Sequence, residues 1–163
     1  MRRIQILNLS LALLLFVSAC SDDNEIDTEK PAIDISFDGA FPVNCSTIYF
    51  GEVFELKLRF SDNTELGSYS IDIHNNFDHH SHSTEISQCE FDSKKDPVMP
   101  FVLIEDYSLP EGLTYYETSV FINVPSGDGN TLYDDGDYHF YISLTDKEGW
   151  SSQKGLSIKM LHR

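Results

Sequence analysis

The stretch GDYHFYISLTDKEGW, residues 136–150, decides the fold class of this 163-residue chain. From Tyr138 to Leu144 every second residue is apolar, and a turn signal, Asp-Lys-Glu-Gly at 146–149, follows. Successive side chains of a strand point to opposite faces, so a two-residue period is typical of a strand with one buried face. The stretch therefore predicts a β-strand that ends in a tight turn and carries His139 on its outer face. Trp150, just after the turn, is predicted to pack in the core.

The same alternation recurs along the chain, and no helical period is sustained after residue 30. Clusters of Gly, Asp, Asn, Ser and Pro separate the alternating runs, as turns do. Six or seven antiparallel strands in about 130 residues favour an all-β, immunoglobulin-like sandwich of two sheets. In chain order these predicted strands, A to G, are residues 32–37, 53–61, 67–75, about 101–105, 115–124, 137–145 and 155–161.

A long insertion separates strands C and D. It covers residues 76–100, far more than a usual hairpin loop. The insertion contains His79, His80, His82 and Cys89. Long loops on rigid β scaffolds are common places for function, so the insertion is the first place to look for a site.

The N-terminus has the pattern of an export signal. Two arginines precede an apolar run at 4–17, and Ser18 and Ala19 lead to Cys20. The run is too short for a membrane span, and the pattern resembles a bacterial lipoprotein signal. We therefore predict a signal peptide at 1–19, lipidation of Cys20, a flexible acidic tether at 20–30 and the sandwich at 31–163. The alternative is an ordinary signal peptide with an incidental cysteine.

Charge and location point in the same direction. The acidic residues that follow Cys20 resemble the surface-export signal of lipoproteins in the Bacteroidota, which favours the outer membrane and an outward-facing position. The formal net charge of −16 repels nucleic acid and anionic lipid and suits cationic partners. Much of this charge also simply keeps a protein soluble.

Cys45 and Cys89 remain once Cys20 is assigned to the lipid anchor. Two cysteines in an exported chain indicate a disulfide. The alternative, that both are soft metal ligands, fits their wide separation and an oxidising compartment less well.

The predicted topology gathers histidines. Strands C and F are antiparallel neighbours in an immunoglobulin-type sheet, which places His74 beside His139 on the outer face. The A–B, C–D and E–F connections lie at one end of such a sandwich. They bring Cys45, the insertion and a group of aspartates to the same place.

Clustered histidines and carboxylates are the usual mark of a metal site. Zinc suits such a ligand set best, and copper or nickel is the alternative. Histidines in a polar loop can also be merely solvated. The predicted ligands are His74, His80, His82 and His139, with His79 in reserve and Asp78 or Asp137 as carboxylate partners.

The segments FPVNC, ELGSYSIDIHNNFDHHSH and GDYHFYISLTDKEGW, together with the signal, resemble a Bacteroidota family of small lipoproteins. That family is catalogued only as a domain of unknown function, number 4625. The resemblance implies an exported lipoprotein with an immunoglobulin-like fold and brings no established activity.

The residues thus predict a lipid-anchored metal-binding protein that captures, buffers or delivers zinc, with an outer-membrane uptake receptor as partner. The first alternative is an adhesion or glycan-associated accessory lipoprotein without a metal role. The second is a metalloenzyme, which ranks last because the sequence offers no recognisable general base or catalytic motif.

Overall fold

The computed structural model describes residues 26–85 and 88–163. The predicted signal peptide and the lipidation site Cys20 lie outside these residues. Within the described ranges the chain forms strands, turns and no helix, so no helical segment there is suited to crossing a membrane. The twelve strands are β1 (Ala32–Asp34), β2 (Thr47–Tyr49), β3 (Val53–Leu56), β4 (Arg59–Ser61), β5 (Leu66–Asn75), β6 (Leu103–Ser108), β7 (Tyr115–Glu117), β8 (Val120–Asn123), β9 (Gly127–Asp128), β10 (Thr131–Leu132), β11 (Gly136–Asp146) and β12 (Ser151–Leu161).

Two layers build the predicted β-sandwich. One layer contains the paired strands β1, β4 and β7 and the pair β3 and β8. The other is a five-stranded sheet in the order β2-β12-β11-β5-β6. Its neighbours are antiparallel except for β2, which runs parallel to β12. The all-β fold class is confirmed.

The alternating apolar residues form the core between the layers. Phe140, Ile142 and Leu144 of β11 are completely buried, as are Leu56 and Phe60 from the facing layer. Burying each such side chain contributes about 1.5–3 kcal/mol relative to leaving it in water. The long central strands β5 and β11, which carry the candidate histidines, are therefore firmly held by their inner faces.

Predicted strands B and E are each divided into two short strands. The buried Thr118 side chain lies between β7 and β8; its hydroxyl accepts a hydrogen bond from Leu58 N at 2.8 Å and donates one to Leu56 O at 2.8 Å. A side chain thus takes the place of main-chain ladder partners where β3 gives way to β4.

The strand after the insertion lies beside the strand before it. Strand β6, the predicted strand D, pairs with β5 in the same sheet, with Ser68 opposite Ser108 and Ile73 opposite Leu103. The insertion therefore connects two neighbouring strands, although it is long. Two further features were not predicted: the parallel strand β2 and the small β9–β10 hairpin.

The N-terminal segment and the histidines lie at opposite ends of β11. Trp150 is 41% exposed and its indole N–H donates to Asp27 O at 3.0 Å, so the prediction that it packs in the core was wrong. This contact places Asp27 at the Asp146 end of β11. His139 is seven residues away along the strand, or about 23 Å at about 3.3 Å per residue.

Candidate metal centre

His74 and His139 face each other across two adjacent strands. They are direct register partners in the β5–β11 ladder, and their ring centroids are 5.4 Å apart. Both point away from the core residues of their strands, because side chains alternate between faces. This placement agrees with the one predicted from the immunoglobulin topology.

The insertion folds back over this outer face. The predicted disulfide is present, with Cys45 and Cys89 Cα atoms 5.4 Å apart, and Thr84 N donates to Gly155 O at 3.0 Å. Gly155 is required for the close approach, since a Cβ there would lie 1.8 Å from His82 O. The segment that carries His80 and His82 is therefore held against β11 and β12.

Four imidazole rings form a compact group, which we call the histidine cluster: His74, His80, His82 and His139. Its six centroid–centroid distances range from 4.8 to 5.7 Å. Four imidazoles bound to one tetrahedral zinc ion at about 2.0–2.1 Å would have centroids about 5 Å apart. The rings thus have the spacing that a shared ion requires.

Three members of the histidine cluster also place ligand atoms together. One ring nitrogen each from His74, His80 and His82 lies within 4.8 Å of the other two, and we call these three nitrogens the three-nitrogen set. Tetrahedral ligands at about 2.0–2.1 Å from an ion are about 3.4 Å apart, so these nitrogens need to approach by at most about 1.5 Å. His80 and His82 are on a loop, so small side-chain rotations can provide this movement.

Two aspartates fix which nitrogens can bind a metal. His74 Nδ1 lies 2.9 Å from Asp72 Oδ1, and His80 Nδ1 hydrogen-bonds Asp78 Oδ1. A carboxylate only accepts, so each Nδ1 carries a proton, and in the neutral form of each ring Nε2 carries the lone pair. The hydrogen bond from His80 also lowers the pKa of Asp78. Carboxylates that orient ligating histidines in this way are a regular feature of zinc sites.

His139 occupies a different position within the histidine cluster. It is only 1% exposed, its Nε2 lies 3.0 Å from His80 O, and it is outside the three-nitrogen set. Because a carbonyl only accepts, Nε2 is the donor; Nδ1 is buried and has no partner among the described residues. Burial lowers the pKa of His139, and the neighbouring histidines add to this effect. The ring is therefore held neutral, as a metal ligand must be.

Comparison with known families gives one match. The family model described as Domain of unknown function (DUF4625) matches residues 18–161. The chain belongs to this family. No curated protein matches it. The histidine cluster, the disulfide and the insertion all lie within the DUF4625 match.

Two predicted site residues of this DUF4625 domain lie apart from the histidine cluster. His79 has a positive φ of 59° and stacks on Phe91 with centroids 4.8 Å apart. Its Nε2 is 3.9 Å from Asp137 Oδ2, and Asp137 also pairs with Lys159 at 2.8 Å and accepts from Asp92 N. His79 and Asp137 are thus near each other but are not brought to the three-nitrogen set.

Asp72 was not among the predicted site residues of the DUF4625 domain. It lies two positions before His74 on the same strand face, and this spacing was a signal available in the sequence. Of the predicted carboxylates, Asp78 does take part, as the partner of His80. Both aspartates orient rings rather than belong to the three-nitrogen set.

The histidine cluster of the DUF4625 domain can be reached from solvent. His82 is exposed, and His74 and His82 line an open depression of about 460 Å³ together with Asp72, Ser81, Thr84 and Tyr141. An ion can therefore enter and leave without unfolding of the sheet. His139 forms the inner wall of the cluster.

Proposed function

We propose that this protein binds a zinc ion at the histidine cluster and captures, buffers or delivers it. His74, His80 and His82 would hold the ion, and His139 is the candidate fourth ligand. The bound ion would join the β5–β11 sheet to the insertion. We further propose that the chain is a lipoprotein anchored through Cys20 in the outer membrane of a member of the Bacteroidota, facing the cell surface. An outer-membrane uptake receptor would be its partner.

The three-nitrogen set with its two orienting aspartates carries this proposal. Solvated surface histidines have no need for a carboxylate that selects the tautomer of each ring. Here Asp72 and Asp78 each occupy Nδ1 of a histidine ring, which leaves Nε2 of His74 and His80 available to bind a metal. This donor set fits zinc, which favours imidazole ligands in tetrahedral geometry. Copper and nickel also bind imidazole, so the choice among the three metals needs a direct comparison.

The location of the cluster supports a role in exchange rather than in structure. His82 is exposed and the cluster borders an open depression, so a partner could reach a bound ion from solvent. The N-terminal segment packs at the opposite end of β11, so an anchor at Cys20 would leave the cluster directed away from the membrane. Such an arrangement suits the capture of an ion and its transfer to a partner.

Calorimetry and metal analysis test the proposal on the full chain without a histidine tag, after treatment with a chelator. We expect one Zn²⁺ per chain. His82→Ala and His74→Ala should each weaken binding by at least about a hundredfold, since each removes one of three ligands. His79→Ala is the matched control, because His79 is in the same insertion but outside the histidine cluster, and it should bind as the unchanged protein does.

Three outcomes would count against this function. Absence of stoichiometric binding of Zn²⁺, Cu²⁺ and Ni²⁺ would end it. Equal losses in His79→Ala and His82→Ala would show that the cluster is not the site. A glycan or protein partner that is still bound by His74→Ala and His82→Ala would favour the accessory-lipoprotein alternative.

A further inference from the structure

A second group of ligand atoms lies at the other end of the sandwich. One carboxylate oxygen each from Asp27, Asp146 and Glu148 lies within 4.8 Å of the other two. Thr64 and Asp62 adjoin them. We call these five residues the acidic end cluster. They come from three separate segments: the N-terminal segment, the β4–β5 turn and the β11–β12 turn.

One hydroxyl of the acidic end cluster lies against three carboxylates. Thr64 Oγ1 lies 2.8 Å from Asp27 Oδ2, 3.0 Å from Asp62 Oδ2 and 3.3 Å from Glu148 Oε2. A hydroxyl has one proton to donate, so it cannot satisfy three carboxylates. The remaining contacts bring lone pairs against anionic oxygens, which is unfavourable unless a positive charge is present.

Buried carboxylate oxygens without partners point to the same missing charge. Asp146 is 4% exposed; its Oδ1 accepts from Gly149 N at 2.6 Å and Trp150 N at 2.8 Å, while its Oδ2 is buried and unpartnered. Asp62 Oδ1 is also buried without a partner. An unsatisfied buried anionic oxygen is costly, and a bound cation is one of the few groups that can compensate it.

No side-chain cation of the described residues supplies this charge. Asp27, Asp62, Asp146 and Glu148 form no ion pair there, and the adjacent Lys147 is 3.7 Å from Glu65 and 3.7 Å from Glu111 instead. The pKa of Asp27 is lowered by hydrogen bonds from Glu29 N, Asn63 and Thr64, so this carboxyl is ionised at neutral pH. Asp27 therefore contributes a negative charge that no side chain of the described residues neutralises.

We propose that the acidic end cluster binds a calcium ion. All of the atoms that it offers to a metal are oxygens, the ligands that hard divalent cations take. Calcium is favoured over magnesium because it accepts six to eight oxygens in irregular geometry, as three converging segments supply. The ion would tie the N-terminal segment to both turns, so calcium would control how firmly the segment around Asp27 is fixed to the sandwich. This site is independent of the histidine cluster.

Terbium luminescence tests the location of the site. Trp150 is the single tryptophan of the chain, and it contacts both Asp146 and Asp27 through hydrogen bonds. Tb³⁺ bound in the acidic end cluster would be sensitised by excitation of Trp150, and Ca²⁺ should displace it. Absence of sensitised emission would overturn the proposed location.

Thermal unfolding of the chelator-treated full chain tests the effect of Ca²⁺. At a hundredfold excess over Kd we expect the Tm to rise by about 5 to 10 °C. Asp146→Asn retains the acceptor for Gly149 N and Trp150 N but removes charge, and Glu148→Gln changes an exposed residue. Each should weaken Ca²⁺ binding by at least about tenfold, because charge count sets the affinity of calcium sites.

Glu111→Gln is the matched control, since Glu111 is an exposed acid beside Lys147 and outside the cluster. It should keep the full Ca²⁺ response, as should His82→Ala. No Tm rise with Ca²⁺, an equal rise in Glu148→Gln, or an equal response to Mg²⁺ would overturn the proposal. Loss of zinc binding in His82→Ala leaves this result unaffected, so the two proposed sites fail separately.

Discussion

At the scale of single residues, the aspartates beside the histidines matter as much as the rings. Asp72 accepts a hydrogen bond from His74 Nδ1–H, and Asp78 accepts one from His80 Nδ1–H. Each hydrogen bond sets both the tautomer and the orientation of its ring. We predict that Asp72→Asn weakens zinc binding by about 10- to 100-fold, the usual effect of losing such a partner. Calorimetry with Zn²⁺ measures it.

The control for Asp72→Asn is Asp106→Asn. Asp106 is an exposed acid on the neighbouring strand β6. The substitution therefore removes the same charge from the same sheet at a residue that does not contact the cluster. If both variants lose affinity equally, the loss comes from the overall charge and the orienting role of Asp72 is wrong.

His162 provides a pH-dependent contribution that is separate from the metal site. Burial lowers its pKa, but Ser126 O and the Asp135 carboxylate accept from its two ring nitrogens, and the net effect is a raised pKa. A histidine with a raised folded pKa stabilises fully below about pH 6.5, and this stabilisation is lost as pH rises through the folded value.

We therefore predict that His162 makes the free energy of unfolding of the metal-free protein, measured by urea titration, decline as pH rises above about 6.5, whereas His139, whose pKa is lowered, contributes in the opposite direction. His162→Gln should make this part of the decline smaller. An NMR titration gives the pKa directly, and a value at or below that of a model histidine would contradict the prediction.

The residues of the candidate site show what a sequence can and cannot reveal. The His74–His139 pair followed from strand order. His74 is near the end of its strand and His139 is near the start of the next strand in the sheet, and antiparallel pairing places these two positions side by side. His79 could not be separated from His80 in this way. Its left-handed backbone turns it towards Phe91 and Asp137, and no local pattern in the HHSH segment, residues 79–82, indicates that turn.

At the scale of the elements, the short strands differ most from their predicted form. The two-residue apolar period can be recognised only along a long strand. The ends of the long strands β5, β11 and β12 were therefore predicted to within a few residues. Strand β2 has only three residues and pairs in parallel with β12, far along the chain. A three-residue run carries no measurable period, and its partner is decided by tertiary packing.

Thr118 stabilises the place where β3 and β4 separate. Its hydroxyl satisfies a buried N–H and a buried C=O of the opposite strand. Thr118→Val keeps the shape but leaves both groups unpaired, and each unsatisfied group costs about 1–3 kcal/mol. We predict a loss of about 2–4 kcal/mol in the free energy of unfolding, measured in urea.

Ser119→Ala is the control for Thr118→Val. Ser119 is exposed and donates to Glu55 at the surface, so its removal should change stability by less than about 0.5 kcal/mol. Comparable losses in the two variants would show that the buried hydroxyl has no special role.

At the scale of the whole molecule, the sandwich separates two groups of ligand atoms by the length of β11. Imidazoles meet at the Gly136 end and carboxylates at the Asp146 end, and each group combines the central sheet with a different connection. Soft and hard cations would therefore be sorted by position. The disulfide belongs to the histidine end, where it attaches the insertion that carries His80 and His82.

The Cys45–Cys89 disulfide should link stability to metal affinity. The bridge spans 44 residues, and by the loop-entropy model its removal costs about 4 kcal/mol. We predict that the Cys45→Ser, Cys89→Ser double variant loses about this much free energy of unfolding in urea.

The double variant should also bind Zn²⁺ more weakly, because the freed insertion must be ordered against β11 and β12 before His80 and His82 can meet His74. Zinc should in turn restore part of the lost stability, since it binds only the folded arrangement. If the variant loses stability but keeps the full zinc affinity, the Thr84–Gly155 contact alone holds the segment, and the coupling through the disulfide is wrong.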